Sequence, residues 1–339
     1  MNHISIVAEI GCNHNGDINT AKELLKKAKE AGADYAKFQL FKSEELVCPD
    51  AKMAEYQKKN IGEASQISML KKLELSEEEY LELKQYADKL GIKSFATPFD
   101  LSSVDYLNSI GQNIWKIPSG EITNLPLLEK IAAIKCEDKE IILSTGMSTI
   151  DEIAKAVAVL ETSKNTKFTV LQCNTQYPTI DEDMNLLVLD TLRETFPSWE
   201  VGLSDHSEGY VAAIAAVGMG VTFVEKHFTL DKNMPGPDHK ASITPDELEE
   251  LCVNVRRAEK MMGDKEKKVT LSEAKNKDVV RKSIVAVRDI KAGESFSEDN
   301  LTCKRPGTGT SPMKWYEVIG KRANKDYHKN EMIKFDGEN

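Results

Sequence analysis

Eight short runs rich in β-branched and aromatic residues recur through the first 230 positions, and longer stretches with helical apolar spacing separate them. The runs fall at 4–10, 35–39, 94–99, 114–119, 140–145, 168–173, 201–205 and 223–228. Helical spacing is clearest over 20–31, 76–90, 149–162, 183–196 and 245–262. A crossover helix returns the chain to the end where the last strand began, so strict alternation demands parallel strands covered on both faces. Eight alternations within about 265 residues is the usual size of a (β/α)8 barrel. The expectation is therefore an α/β chain built on a TIM barrel. Ser76 with Glu79, and Thr244-Pro245 with Glu247, mark two helix starts by side-chain capping. The stretch 47–67 has no clear period and reads as an excursion over the barrel mouth.

Of the 339 residues, this leaves about 70 beyond the barrel. Residues 266–278 are rich in Lys and Glu and read as a solvated linker between a domain at 1–265 and a small one at 279–339. A domain of about 60 residues buries little apolar surface and is expected to lean on a larger body. The net charge is -10, with +3 on residues 279–339 and -13 on the rest. That balance argues against nucleic acid as a partner. The most apolar stretch, 210–224, is broken by Gly218 and Gly220 and is shorter than the ~20 residues of a spanning helix, which argues against a membrane. No leader pattern opens the sequence, so a cytoplasmic protein with reduced thiols is expected. The six cysteines form no CxxC pair, and Cys12 and Cys173 are expected to line the core.

In such a barrel, function collects where strands end. Strand one ends on Glu9, Cys12, Asn13 and His14, strand two carries Lys37 and Gln39, and strand three ends at Thr97. Strand four carries Lys116, Ser119 and Glu121, strand five Ser144, strand seven Ser204 and His206, and strand eight Glu225 and His227. Inward charges are costly to desolvate unless paired or liganded, so this rim implies a shared ligand. His206 and His227, on adjacent strands, suit a divalent ion that leaves positions open for substrate oxygens. The lysines and hydroxyls form an anion pocket for phosphate and carboxylate. Glu9, Glu121 and Glu225 are acid/base or sugar-binding candidates. The turn Pro235–Lys240 presents Asp238 and His239, and His14 either meets ligand or holds the first loop. No nucleotide-binding glycine loop occurs.

The motifs Glu9-Ile-Gly-Cys-Asn13-His14-Asn-Gly16, Lys37-Phe-Gln39, Thr97-Pro-Phe99, Lys116-Ile-Pro-Ser119-Gly-Glu121, Ser144-Thr-Gly-Met147, Gly202-Leu-Ser-Asp-His206, Glu225-Lys-His227-Phe-Thr229 and Pro235-Gly-Pro-Asp238 together resemble the sialic acid synthases. Asp289-Ile-Lys-Ala-Gly293 and Lys304-Arg305-Pro-Gly307 resemble that family's C-terminal antifreeze-like (SAF) domain, of β-clip type. The resemblance implies condensation of phosphoenolpyruvate (PEP) with N-acetylmannosamine to N-acetylneuraminate and phosphate. It implies PEP binding by Lys37, Thr97, Lys116, Ser119, Ser144 and Ser204, and a divalent metal, Mn2+ or else Mg2+ or Co2+, on His206 and His227. Glu9 and Glu225 would join the two histidines in catalysis, while Gln39, Glu121, Tyr177 and Asp238 would face the sugar. Arg305 would reach the sugar site of a partner in a domain-swapped homodimer. The chain departs from some relatives at Thr175, where they place Asn, and at 280–282, where they place a Phe near the acyl group.

The same motifs fit legionaminic acid synthesis from a diacetamido-trideoxy hexose. Pseudaminic acid synthesis fits the Pro235–His239 turn less well. Two further classes stay in view: a metal-dependent pyruvate aldolase, which would release no phosphate, and a non-enzymatic sugar-binding module, which would need no metal.

Overall fold

A computed structural model describes residues 3–49, 51–61 and 65–334, and the chain divides into two compact units, Met1–Gly263 and Asp264–Asn339. In the first unit the strands are β1 (Ser5–Gly11), β2 (Tyr35–Leu40), β3 (Lys93–Pro98), β4 (Ile114–Ile117), β5 (Lys139–Ser144), β6 (Thr166–Cys173), β7 (Glu200–Asp205) and β8 (Phe223–His227). The ladder runs β3-β2-β1-β8-β7-β6-β5-β4 with every pair parallel. At the seam between β3 and β4, the Gln112 side-chain amide substitutes for a backbone partner. It donates to Ala96 O and accepts from Ala96 N, each at 2.9 Å. The sheet is a (β/α)8 barrel, as the alternation predicts.

Local chemistry starts and orients the helices. Asp17 caps Ile18–Glu30 by accepting from the backbone of Asn19 and Thr20, and Ala21, Leu24, Leu25 and Ala28 turn one buried stripe to the barrel. Reciprocal Ser/Thr–Glu caps open Glu77–Leu90, Ile150–Leu160 and Pro245–Met262.

Inside the barrel, strand periodicity sets two layers. Val7, Phe95, Ile142, Leu171 and Phe223 form an apolar plug. Gly202 lies in register with Leu171 and Phe223, and a Cβ there would come within 2.5 Å of Leu171 Cδ2, so the plug closes only over a bare backbone. Successive side chains alternate faces, so the next inward positions are two residues on. They are Glu9, Lys37, Thr97, Lys116, Ser144, Cys173, Ser204 and Glu225, all buried.

The excursion at 47–67 is not plain loop. It contains the helix Glu55–Ile61 and the start of Gln66–Leu73; positions 50 and 62–64 lie outside the described residues. Met53, Met69 and Leu73 pack with Cys12 and Phe41 in a small satellite core. Glu74 accepts from Ser43 N at 2.9 Å, and Asp100 accepts from Lys42 N at 2.7 Å, which ties down the entrance of this segment.

In the second unit, β9 (Ser283–Ala286) and β10 (Leu301–Lys304) pair antiparallel. Ile284, Ile290, Phe296, Leu301, Val318, Tyr327 and Ile333 enclose a core of its own. The linker expectation for 266–278 is corrected in part: the segment is exposed, but the helix Leu271–Val280 begins within it, started by a Thr270–Glu273 capping box. A helix with no buried residue gives no apolar period to read. Among the described residues no helix is long and apolar enough to cross a membrane.

The first loop meets the excursion at Gly16. Its φ is +73°, and a Cβ would sit 2.2 Å from the backbone oxygen of Lys72. Gly16→Ala is expected to lower stability by about 2 kcal/mol or more in urea unfolding, since strain and clash add. Gly218→Ala, at a helical site with open space, should change it by less than ~1 kcal/mol. Equal effects would refute the close approach.

Candidate active site

The upper polar layer surrounds a cavity of about 470 Å3. On its floor, four charges alternate in sign. Lys37 Nζ lies 2.9 Å from Glu9 Oε2 and 3.5 Å from Glu225 Oε2, while Lys116 Nζ lies 3.0 Å from Glu225 Oε1. Register explains the meeting: Glu9 pairs with Lys37 across β1–β2, and Ser204 with Glu225 across β7–β8. Hydroxyls and an amide complete the floor. Lys37 donates to Thr97 Oγ1 (3.2 Å), Ser204 to Glu225 Oε1 (2.9 Å) and Gln39 Nε2 to Glu9 Oε1 (2.9 Å). Ser119 Oγ accepts from Gly146 N at 2.9 Å, and Ser144 Oγ is buried on the cavity wall without a hydrogen bond.

The environment splits the two carboxylates. Burial opposes ionisation of Glu225, but Lys116 and Lys37 outweigh it and hold that carboxyl well below the usual range. Burial, reinforced by the Glu225 charge, raises Glu9 despite Lys37. Among the lysines, burial opposes the charge on Lys37 but Glu225 and Glu9 carry it above the ordinary value. Burial lowers Lys116, with Lys37 adding to the effect. Paired environments that drive like groups apart are the usual basis of distinct acid and base roles.

Above the floor, the His206 and His227 rings lie 5.1 Å apart, and Tyr177 stacks on His206 at 4.2 Å. His206 Nδ1 is engaged by the Asn174 carbonyl and lies 3.8 Å from Cys173 Sγ. Burial lowers His206, but Cys173 and the Asn174 carbonyl carry it above its ordinary value. His227 Nδ1 is buried without a hydrogen bond, 3.8 Å from Asp238 Oδ2, and burial together with His206 holds its imidazole well below the usual range, hence neutral. Burial raises Asp238 to about 6. Two buried imidazoles bordering one cavity, His227 neutral and His206 giving up its proton when metal binds, are a donor set suited to a divalent ion. Among the described residues there is no cluster of three or more His, Cys, Asp or Glu side chains arranged to hold an ion.

Gln39, Glu121, Tyr177 and Asp238 also line the cavity. Burial raises Glu121, which accepts from Asn124 Nδ2 at 2.6 Å. Arg305 is exposed in the second unit, just after β10. His239 turns away from the cavity, bonded to Thr229 Oγ1 (2.7 Å) and Asn15 Oδ1 (3.3 Å). His14 is buried and accepts from Gly16 N at 3.0 Å, so it holds the first loop.

Several cavity residues carry no sequence signal of function. Cys12 and Cys173 are buried as expected, yet both border the cavity. Leu46 and Val47 at the start of the excursion, Met69, Leu70 and Leu73 of the helix Gln66–Leu73, and Phe41 and Phe99 give the outer wall an apolar character. Only Val47 among them falls within the aperiodic stretch 47–67.

Burial holds His14 at about 4, below its ordinary value of 6.5. The unfolded chain therefore takes up a proton first as pH falls. The contribution is complete above pH 6.5 and is lost on acidification towards pH 4, amounting to about 3 kcal/mol. Urea unfolding at pH 8 and pH 5 should show about 2 kcal/mol of this loss, and His14→Gln should remove that part of the slope. An unchanged slope in the variant would contradict a neutral buried imidazole.

Comparison with known proteins agrees with this architecture. Residues 24–267 match the NeuB family and residues 281–337 the SAF domain. The chain is 49% identical to N,N'-diacetyllegionaminic acid synthase of Campylobacter jejuni, over 98% of this chain and 100% of that protein. It is 44% identical to the protein of the same name from Legionella pneumophila, over 94% and 89% of the two chains. A crystal structure of N-acetylneuraminic acid synthetase from Leptospira borgpetersenii, with citrate, superposes with a TM-score of 0.71 at 33% identity, covering 81% of this chain and 90% of that one. With its strand-end motifs, its barrel and its C-terminal domain all accounted for, the chain belongs to the NeuB family of sialic acid synthase-type proteins and carries a SAF domain.

Proposed function

We propose that this chain is a legionaminic acid synthase, condensing PEP with 2,4-diacetamido-2,4,6-trideoxymannose and water to give the nine-carbon acid and phosphate. The reading of N-acetylmannosamine as substrate, implied by the motifs, gives way to its alternative. The relatives of highest identity named above are legionaminic acid synthases. The single observation that carries the choice is the apolar outer wall. A 6-deoxy carbon lies against Leu and Phe at no cost, whereas a buried sugar hydroxyl without a partner costs about 1–3 kcal/mol.

PEP brings a phosphate and a carboxylate to the floor, where Lys37 and Lys116 supply charge and Thr97, Ser119, Ser144 and Ser204 supply directed donors. Lys37 and Lys116 exchange carboxylate partners for substrate oxygens. This holds the enol carbon rigidly beneath the sugar aldehyde. His206 and His227 would hold a divalent cation, Mn2+ or else Mg2+ or Co2+, whose chemistry is to polarise the aldehyde carbonyl. The PEP methylene carbon forms the new bond to the aldehyde carbon, and cationic character develops at the enol carbon. Glu225, kept ionised by two lysines, stabilises that charge. Glu9, raised by burial, is the carboxyl suited to take the proton of the water that adds there and to pass it to the oxygen of the former aldehyde; the C–O bond to phosphate then breaks, and the hydroxyl at that carbon becomes the ketone as its proton leaves with phosphate. Gln39 fixes Glu9, and Glu121, Tyr177 and Asp238 face the sugar. Arg305, exposed in a separately cored unit, is assigned to the sugar site of a partner in a domain-swapped homodimer.

A substrate comparison tests this directly. With PEP and Mn2+, the trideoxy sugar should release phosphate with kcat/KM at least about tenfold above that for N-acetylmannosamine, as one stranded hydroxyl predicts. The reverse order would return the assignment to N-acetylneuraminate. No phosphate release with either sugar would favour a pyruvate aldolase or a binding module. His206→Ala should abolish turnover with the fold intact, and full activity would refute the metal assignment.

A further inference from the structure

Behind the two histidines, on the opposite face of the barrel wall, lies a second ion pair that the reaction does not use. Asp205 is the last residue of β7, immediately before His206, and Lys226 immediately precedes His227 in β8. Neighbouring strand residues point to opposite faces, so the histidines look inward and this pair looks outward. Asp205 and Lys226 are register partners across β7–β8. Their side chains meet at 3.1 Å, both with 0% exposure. The contact also grips the chain beyond the strand. Lys226 Nζ donates to Ser207 O at 2.5 Å, and Asp205 Oδ1 accepts from Ser207 N at 2.9 Å and Ser207 Oγ at 2.6 Å. His206 is therefore flanked on both sides by residues held in one buried knot.

Fold stability alone is a weak reason for such a pair. Desolvating two charges offsets most of their attraction, and apolar replacements at buried ion pairs are often neutral or stabilising. A pair is distinguished from apolar packing by direction, since it fixes the lateral and axial offset of the two strand ends. We propose that the Asp205–Lys226 pair is a positioning device that sets the separation of the His206 and His227 imidazoles for a divalent cation. This rests on the metal reading above. Asp205 and Lys226 are positioning residues and touch neither substrate nor ion.

The test titrates the full-length protein with MnCl2 alone, reading free Mn2+ by electron paramagnetic resonance, and separately measures PEP binding without metal by calorimetry. Asp205→Leu combined with Lys226→Met keeps the site apolar and packed, while Asp205→Asn keeps its shape and removes the charge. Either variant, with a cooperative thermal transition like the parent's, should bind Mn2+ 10–100-fold more weakly, the usual range for partners behind metal ligands. PEP affinity should change by less than twofold. Should the double variant fail to fold, Asp205→Asn alone decides. Mn2+ affinity within twofold of the parent, or equal losses of Mn2+ and PEP affinity, would overturn the proposal. The metal reading fails separately, and takes this proposal with it, if the parent binds no Mn2+ or if His206→Ala binds it as well as the parent.

Discussion

Two lysines and two glutamates buried at the inner top of the barrel neutralise one another, and most of the molecule serves to make that arrangement tenable. A lone ammonium or carboxylate at this depth would be strongly driven to its neutral form. Alternation along the chain Glu9–Lys37–Glu225–Lys116 avoids this, because each interior charge faces opposite charge. The lattice depends on register: a slip of one residue in any of these strands would turn its charge outward and leave a partner stranded. The apolar plug beneath, closed over Gly202, supports these strands at the level where register is decided.

On the proposed PEP reading, the same lattice accounts for how a substrate carrying phosphate and carboxylate enters a chain of net charge -10. The ammonium groups are already dehydrated and held in place by carboxylates, so substrate oxygens replace existing partners and need strip no tightly held water. Meanwhile the histidines stand above the floor, with His227 neutral, and the outer wall of the cavity is apolar. Charge, imidazoles and apolar surface are thus layered in one cavity.

Much of this was legible in the sequence, for a physical reason. Parallel strands buried on both faces read as short apolar runs, so all eight were visible to within about two residues, and Pro245–Met262 agrees to the residue with its predicted span. The site residues stood out because Lys37, Lys116 and Glu225 interrupt those runs. What was not legible lacked a period or lacked neighbours. Leu271–Val280 has no buried residue, so it looked like linker. The excursion helices bury only a few apolar residues, and His14 and His239 could be told from cavity residues only by seeing what they bond. Cys12 and Cys173 are ordinary core cysteines in sequence; Cys173 reaches the cavity as an inward position of β6, and Cys12 lies just beyond β1.

A crystal structure of the protein with both MnCl2 and PEP tests the central claim most directly. The layered cavity predicts one ion bonded to both His206 and His227, with PEP oxygens within hydrogen-bonding distance of Lys37 Nζ and Lys116 Nζ directly below it. PEP bound away from either lysine, or an ion held without both imidazoles, would contradict the account.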